Sequence, residues 1–157
     1  MIHKIDPRRV YLSLLVVGLL LTAVQIWSFS RTYENPPVIE PTKWDSEQTY
    51  QLVERACYDC HSNETKWPWY AKVWPMSAKV EYDVVEGRQV LNFSEWSGPY
   101  TQAEIDAMAE AVGKEQMPLP YYVVLHPEAR LSERERGDLT NGLIATMNGE
   151  GTVVIEP

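Results

Sequence analysis

The chain has 157 residues, room for one ordinary domain with a single core, and its 45% hydrophobic and 23% charged content is that of a globular protein. Its formal net charge of −8 is uneven: Lys4, Arg8 and Arg9 precede residue 10 with only Asp6 against them, leaving 11 of the 14 basic and 21 of the 22 acidic residues beyond. A surface of that sign repels nucleic acid and anionic lipid headgroups, which argues against both as partners, and it attracts a basic protein face in a salt-sensitive way.

Residues 10–29, VYLSLLVVGLLLTAVQIWSF, carry no formal charge and no polar stripe. At roughly 1.5 Å per helical residue they span about 30 Å, the thickness of a bilayer's hydrocarbon core. Trp27 and Phe29 stand at the far end, where aromatic side chains favour the interface. The basic residues precede the run, so the positive-inside bias places the N-terminus in the cytoplasm and the remainder outside. A cleaved signal peptide shares the basic start and apolar middle. Ser28-Phe29-Ser30, however, is a poor small-x-small cleavage site, and the run is long for such a peptide. The expected organisation is therefore a cytoplasmic stretch at 1–9, a transmembrane anchor at 10–30, a Pro-rich linker at 31–44 with Pro36, Pro37 and Pro41, and an exported domain at 45–157.

Within that domain Asp45 or Ser46 caps a first helix, SEQTYQLVERA, which runs directly into Cys57-Tyr-Asp-Cys60-His61. Residues 67–76, WPWYAKVWPM, are aromatic and twice broken by proline, hence loop or single turns. A short helix is expected over 77–85, ending near Gly87, and NFSEWSGPY at 92–100 reads as loop. Thr101-x-x-Glu104 is a capping box that opens a helix with Ile105, Met108, Ala109 and Val112 inward and Gly113 at its end. Residues 114–127, with Pro118, Pro120 and Pro127, are expected to be irregular. Ser132-x-x-Glu135 is a second capping box, starting a last helix with Leu139, Leu143, Ile144 and Met147 inward. No segment alternates long enough to argue for a sheet, so the domain is mainly α: short helices with long loops that need something to pack on.

Cys57 and Cys60 are the only cysteines. A disulfide across a two-residue gap would constrain little of the unfolded chain. A structural zinc site needs four ligands, and Cys57, Cys60 and His61 supply three unless His126 is recruited. A thiol redox pair of the thioredoxin kind wants a βαβ setting that is missing. What remains is C-x-x-C-H, the attachment site of c-type haem, in which two thiols form thioethers with the porphyrin vinyls and the adjacent histidine gives the iron an axial nitrogen. Assembly of such a haem outside the cytoplasm agrees with the expected export.

The second axial ligand must come from downstream. Met108 and Met147 fall on apolar helix faces, and Met76 follows His61 too closely in the chain. Met117, on a segment braced by Pro118 and Pro120, is the leading candidate, with His126 as the alternative that would give a lower-potential bis-histidine iron. Trp67, Trp69, Tyr70 and Trp74 are candidate walls of a haem crevice, and Arg88 a candidate partner of a propionate. The competing reading makes the aromatics core and Arg88 a surface charge.

The blocks CYDCHSNETKWPWYAKVWP, EGRQVLNFSEW and MPLPYYVVLHPEARLSERE, in that order, resemble the bacterial haem-binding domain family of small monohaem c-type cytochromes, over about residues 44–143. The resemblance implies a small cytochrome c-like helical domain around one covalent haem c on Cys57 and Cys60, with His61 proximal and Met117 distal. It also implies a single-pass anchor in the bacterial cytoplasmic membrane, with the haem domain on the periplasmic face. With both axial positions filled, the expected role is electron transfer rather than enzymatic turnover. Its expected partners are a membrane redox complex, in which it could serve as a subunit, or a soluble carrier with a basic docking face. Two competing readings are a haem-based ligand sensor and a haem-bearing structural subunit of a membrane complex.

Overall fold

The computed structural model describes residues 6–154; His3 and Lys4 lie outside them. The described chain is mainly helical, with seven α-helices and a single two-stranded pairing. It divides into two compact units: Met1–Glu34 with Trp67–Tyr82, and Asn35–Lys66 with Asp83–Pro157.

The first unit is built on α1 (Pro7–Ser30), whose N-cap Asp6 accepts a bond from the Arg8 amide at 3.0 Å. Its most apolar window has a mean hydropathy of 2.1 and buries nothing, so by length and composition α1 can cross a membrane. Thr22 returns its hydroxyl to the Gly18 carbonyl at 2.8 Å, satisfying a polar group within the helix. The aromatic segment forms a 3-10 turn at Trp69–Lys72, and this unit also holds the start of α4 (Met76–Val90).

In the second unit, residues 35–44 are extended rather than helical and are bonded along their length. Ile39 and Glu40 donate to the Ser94 carbonyl at 2.9 and 3.1 Å, and Thr42 donates to Phe93 at 3.1 Å. They lead into β1 (Lys43–Trp44), which pairs antiparallel with β2 (Val153–Val154). Ser46 caps α2 (Glu47–Ala56), and α3 (Tyr58–His61) follows after Cys57 alone. Both expected capping boxes form, at Thr101 on α5 (Gln102–Gly113) and at Ser132 on α7 (Glu133–Met147).

The core gathers Trp44, Leu52, Val53, Ala56, Phe93, Val112, Ala129, Leu131, Leu139 and Leu143. Burying a Leu or Val side chain of this kind contributes roughly 1.5–3 kcal/mol. Helices α2 and α7 meet at Gly142, where a Cβ would stand 2.0 Å from Thr49 Oγ1, so only glycine allows this approach.

Three local expectations change. Helix α4 continues through Gly87 to Val90 instead of ending there. Residues 114–127 are not wholly irregular: Pro120 sits at the start of α6 (Pro120–Leu125), where its missing N–H would have had no helical partner anyway, and a 3-10 turn follows at Pro127–Ala129. The β1–β2 pair is too short to show as alternation.

Candidate functional site

Helix α2 delivers its last turn to Cys57, whose φ of −129° breaks the helix while its amide still bonds the Val53 carbonyl. The chain then coils again: the amides of Cys60 and His61 both donate to the Cys57 carbonyl, at 3.1 and 2.9 Å. Residues three apart on a helical turn share a face, so this turn brings the two thiols to one side of the chain. They are not joined by a disulfide. Burial, then the neighbouring Cys60, push the Cys57 thiol up to about 12.

His61 is held from its back edge. Its Nδ1 lies 3.1 Å from the Leu91 carbonyl, which can only accept, so Nδ1 carries the proton and Nε2 keeps its lone pair. Burial pushes the imidazole below its ordinary value, favouring the neutral form that binds metal. The same strand of chain returns a bond: the Phe93 amide donates to the His61 carbonyl at 2.8 Å, and the two rings meet edge to face at 6.3 Å. A neutral histidine fixed in one tautomer by a backbone carbonyl is the arrangement an axial ligand needs.

Other elements close on the turn. A Cβ on Gly87 would stand 2.4 Å from the Cys60 carbonyl oxygen, so α4 rests backbone to backbone on the motif. Tyr122 of α6 donates its hydroxyl to Asp59, inside the motif, at 2.8 Å. Asp59 also accepts from the Lys66 amide at 2.9 Å. Arg88 directs Nε to the Ser62 carbonyl at 2.8 Å and Nη2 to Thr65 Oγ1 at 2.8 Å, bracing the segment that leaves His61. Behind it, buried Asn63 gathers Pro37, Glu95, Ser94 and Asn92 into one hydrogen-bonded group.

Met117 is half-buried where α5 has ended, and the amides of Gln116 and Met117 both bond the Ala111 carbonyl at 2.9 Å. It precedes by a few residues the helix whose Tyr122 reaches Asp59. His126 is stacked on Tyr122 at 4.2 Å and bonded to Glu128 at 3.0 Å.

Trp67, Trp69, Tyr70 and Trp74 belong to the other unit. There Trp67 stacks on Tyr33 at 4.3 Å, Tyr70 is buried, and Trp69 and Trp74 are exposed.

The sequence reading missed the Leu91 carbonyl, Gly87, and the Asp59–Tyr122 bond. The first is backbone and leaves no mark in residue identity. Gly87 could have been found, since a glycine that does not end its helix usually marks a close approach.

The family model described as a haem-binding domain matches residues 16–145. No curated protein and no solved structure matches the chain.

Proposed function

The chain belongs to the haem-binding domain family, and on that premise we propose that it is a membrane-anchored monohaem c-type cytochrome that carries electrons on the outer, periplasmic face of a bacterial membrane. Cys57 and Cys60 would hold the haem through two thioethers, His61 would supply the proximal nitrogen, and Met117 the distal sulfur. When bound, such a haem supplies one-electron ferrous–ferric chemistry with no open position for a substrate, which makes the protein a carrier rather than an enzyme.

The observation that carries this reading is the coiling of Cys57, Cys60 and His61 into one turn with Nδ1 of His61 committed to the Leu91 carbonyl. The protein's own part is to fix that imidazole neutral and immobile, to tie the motif to α4 and α6, and to exclude water behind Phe93 and Leu91. Helix α1 supports anchoring by its length and apolarity. The net charge of −8 supports steering toward a redox partner with a basic face, in solution or in a membrane complex.

A pyridine haemochrome spectrum of the full-length protein tests the cofactor. Thioether-shifted bands are expected, and ordinary vinyl-type bands would reject covalent attachment. Rapid carbon monoxide binding by the reduced protein would instead favour a ligand sensor.

A further inference from the structure

We propose that residues 67–76 seat the first unit in the outer interface of the bilayer, with Trp69 and Trp74 inserted among the lipid glycerol and carbonyl groups beside Trp27 and Phe29. The proposal rests on the reading of α1 as a membrane anchor and adds a second, non-helical contact with lipid.

The depth of this segment is set by α1 itself. Gln25 donates Nε2 to the Lys72 carbonyl at 3.1 Å and accepts from the Trp74 amide at 3.2 Å, so one side-chain amide clamps the backbone on both sides of Val73. Ser28, fully buried, donates to the same Lys72 carbonyl at 3.1 Å and pairs with Ser77 Oγ at 2.8 Å. Tyr33 closes the arrangement, with its hydroxyl on the Ala71 carbonyl at 2.8 Å. Residues 71–77 are therefore held at the level of the last turns of α1. At 1.5 Å per residue, Gln25 stands about 6 Å inside Phe29 along the helix axis. A helix that spans a bilayer carries whatever is bonded to Gln25 and Ser28 into the interface with it.

The chemistry of the segment suits that place. Gln25 is a polar residue near the end of an apolar helix, and in lipid its amide must be satisfied by protein; the clamp does so. Trp69 is 79% exposed and Trp74 44%, and on the last turns of α1 Trp27 is 59% and Phe29 67% exposed. So much exposed aromatic surface against an apolar helix is unusual for a water-facing patch, whereas tryptophan, with an apolar body and one N–H donor, concentrates at bilayer interfaces. Lys72 lies 5.7 Å from the Phe29 ring, a place from which its ammonium can reach the headgroups while its stem stays among apolar groups. Beyond α1 this unit carries Arg31, Lys72 and Lys79 against Glu34 and Glu81, so it is nearly neutral, and the occupant is a zwitterionic leaflet held by the aromatic side chains.

The full chain, reduced, labelled with fluorotryptophan and placed in phosphatidylcholine nanodiscs, tests this. The resonances are assigned by single Trp→Phe substitutions. Lipid bearing a spin label near the glycerol level should broaden Trp27, Trp69 and Trp74 and leave Trp44 and Trp96 sharp, equally at low and high salt. If Trp27 broadens while Trp69 and Trp74 stay sharp, the anchor stands and the seat is wrong. If Trp69 and Trp74 stay sharp and are also shielded from a water-soluble relaxation agent, protein rather than lipid covers them, which overturns the proposal. If all three stay sharp, the anchoring reading fails together with the seat. Broadening of Trp69 and Trp74 that disappears in high salt would overturn the aromatic basis of the contact.

Discussion

Gly87 of α4 lies so close to Cys60 that a Cβ built on it would stand 2.4 Å from the Cys60 carbonyl oxygen and 3.1 Å from its Cβ. In an exposed helix, Gly→Ala stabilises by about 1 kcal/mol. Here the atom in the way is backbone, so either the helix or the cysteine turn must move, and forced overpacking of this kind costs about 1–3 kcal/mol. Gly87→Ala should lower the unfolding midpoint and shift the visible spectrum of the haem-loaded protein. An unchanged midpoint and spectrum would show that the contact is not maintained.

Asn63 is 2% exposed, and its side chain serves Pro37, Glu95 and Asn92 at once. Asn63→Ala removes the bonds of a buried side chain to the Pro37 carbonyl, the Glu95 carboxylate and the half-buried Asn92 amide, and each such bond contributes about 0.5–1.5 kcal/mol. Denaturant unfolding of the variant should show a lower midpoint with an unchanged slope; a difference within error would mean that water replaces the side chain freely.

At the α2–α7 crossing, Gly142→Ala places a methyl 2.0 Å from Thr49 Oγ1 and 2.8 Å from its Cγ2. The expected loss is about 1–3 kcal/mol. Thr49→Ala removes both of those atoms, so the double variant should be more stable than the two single losses added together. Strict additivity in that cycle would place the strain elsewhere.

Glu135 accepts the Ser132 amide at 2.8 Å and the Ser132 hydroxyl at 2.7 Å through Oε2, and Arg55 approaches Oε1 at 2.7 Å. These bonds, the Ser132 amide first, hold its carboxyl at about 2 against an ordinary 4.5. A depressed folded-state value means that the stabilisation is complete above 4.5 and is lost as the pH falls toward 2. Glu135→Gln should lower the neutral plateau and flatten that acid limb together, by less than the shift alone implies because the pair is exposed. A wild-type slope retained in the variant would assign the acid transition to other groups.

On the proposed ligation, Met117→Ala should abolish the weak near-red sulfur-to-iron band of the ferric protein, whereas His126→Ala should leave it. His126 is already engaged by Tyr122 and Glu128. Persistence of the band in Met117→Ala would identify a different methionine as ligand.

The long apolar helix, the capped helices and the C-x-x-C-H spacing were legible because each is specified by neighbours in sequence. Hydropathy over consecutive residues marked α1. Side chains three positions apart marked the caps at Thr101 and Ser132, and three residues within five marked Cys57, Cys60 and His61. Where the reading changed, a distant partner was responsible. Gly87 was expected to end a helix and instead lies inside one, because the Cys60 backbone needs the space.

The sequence alone therefore determined which groups the motif presents, two thiols three positions apart and an adjacent imidazole, since these are covalent facts of the chain. Only the tertiary structure decided how His61 is oriented. The Leu91 carbonyl that fixes its proton lies 30 residues away and looks, in sequence, like every other carbonyl.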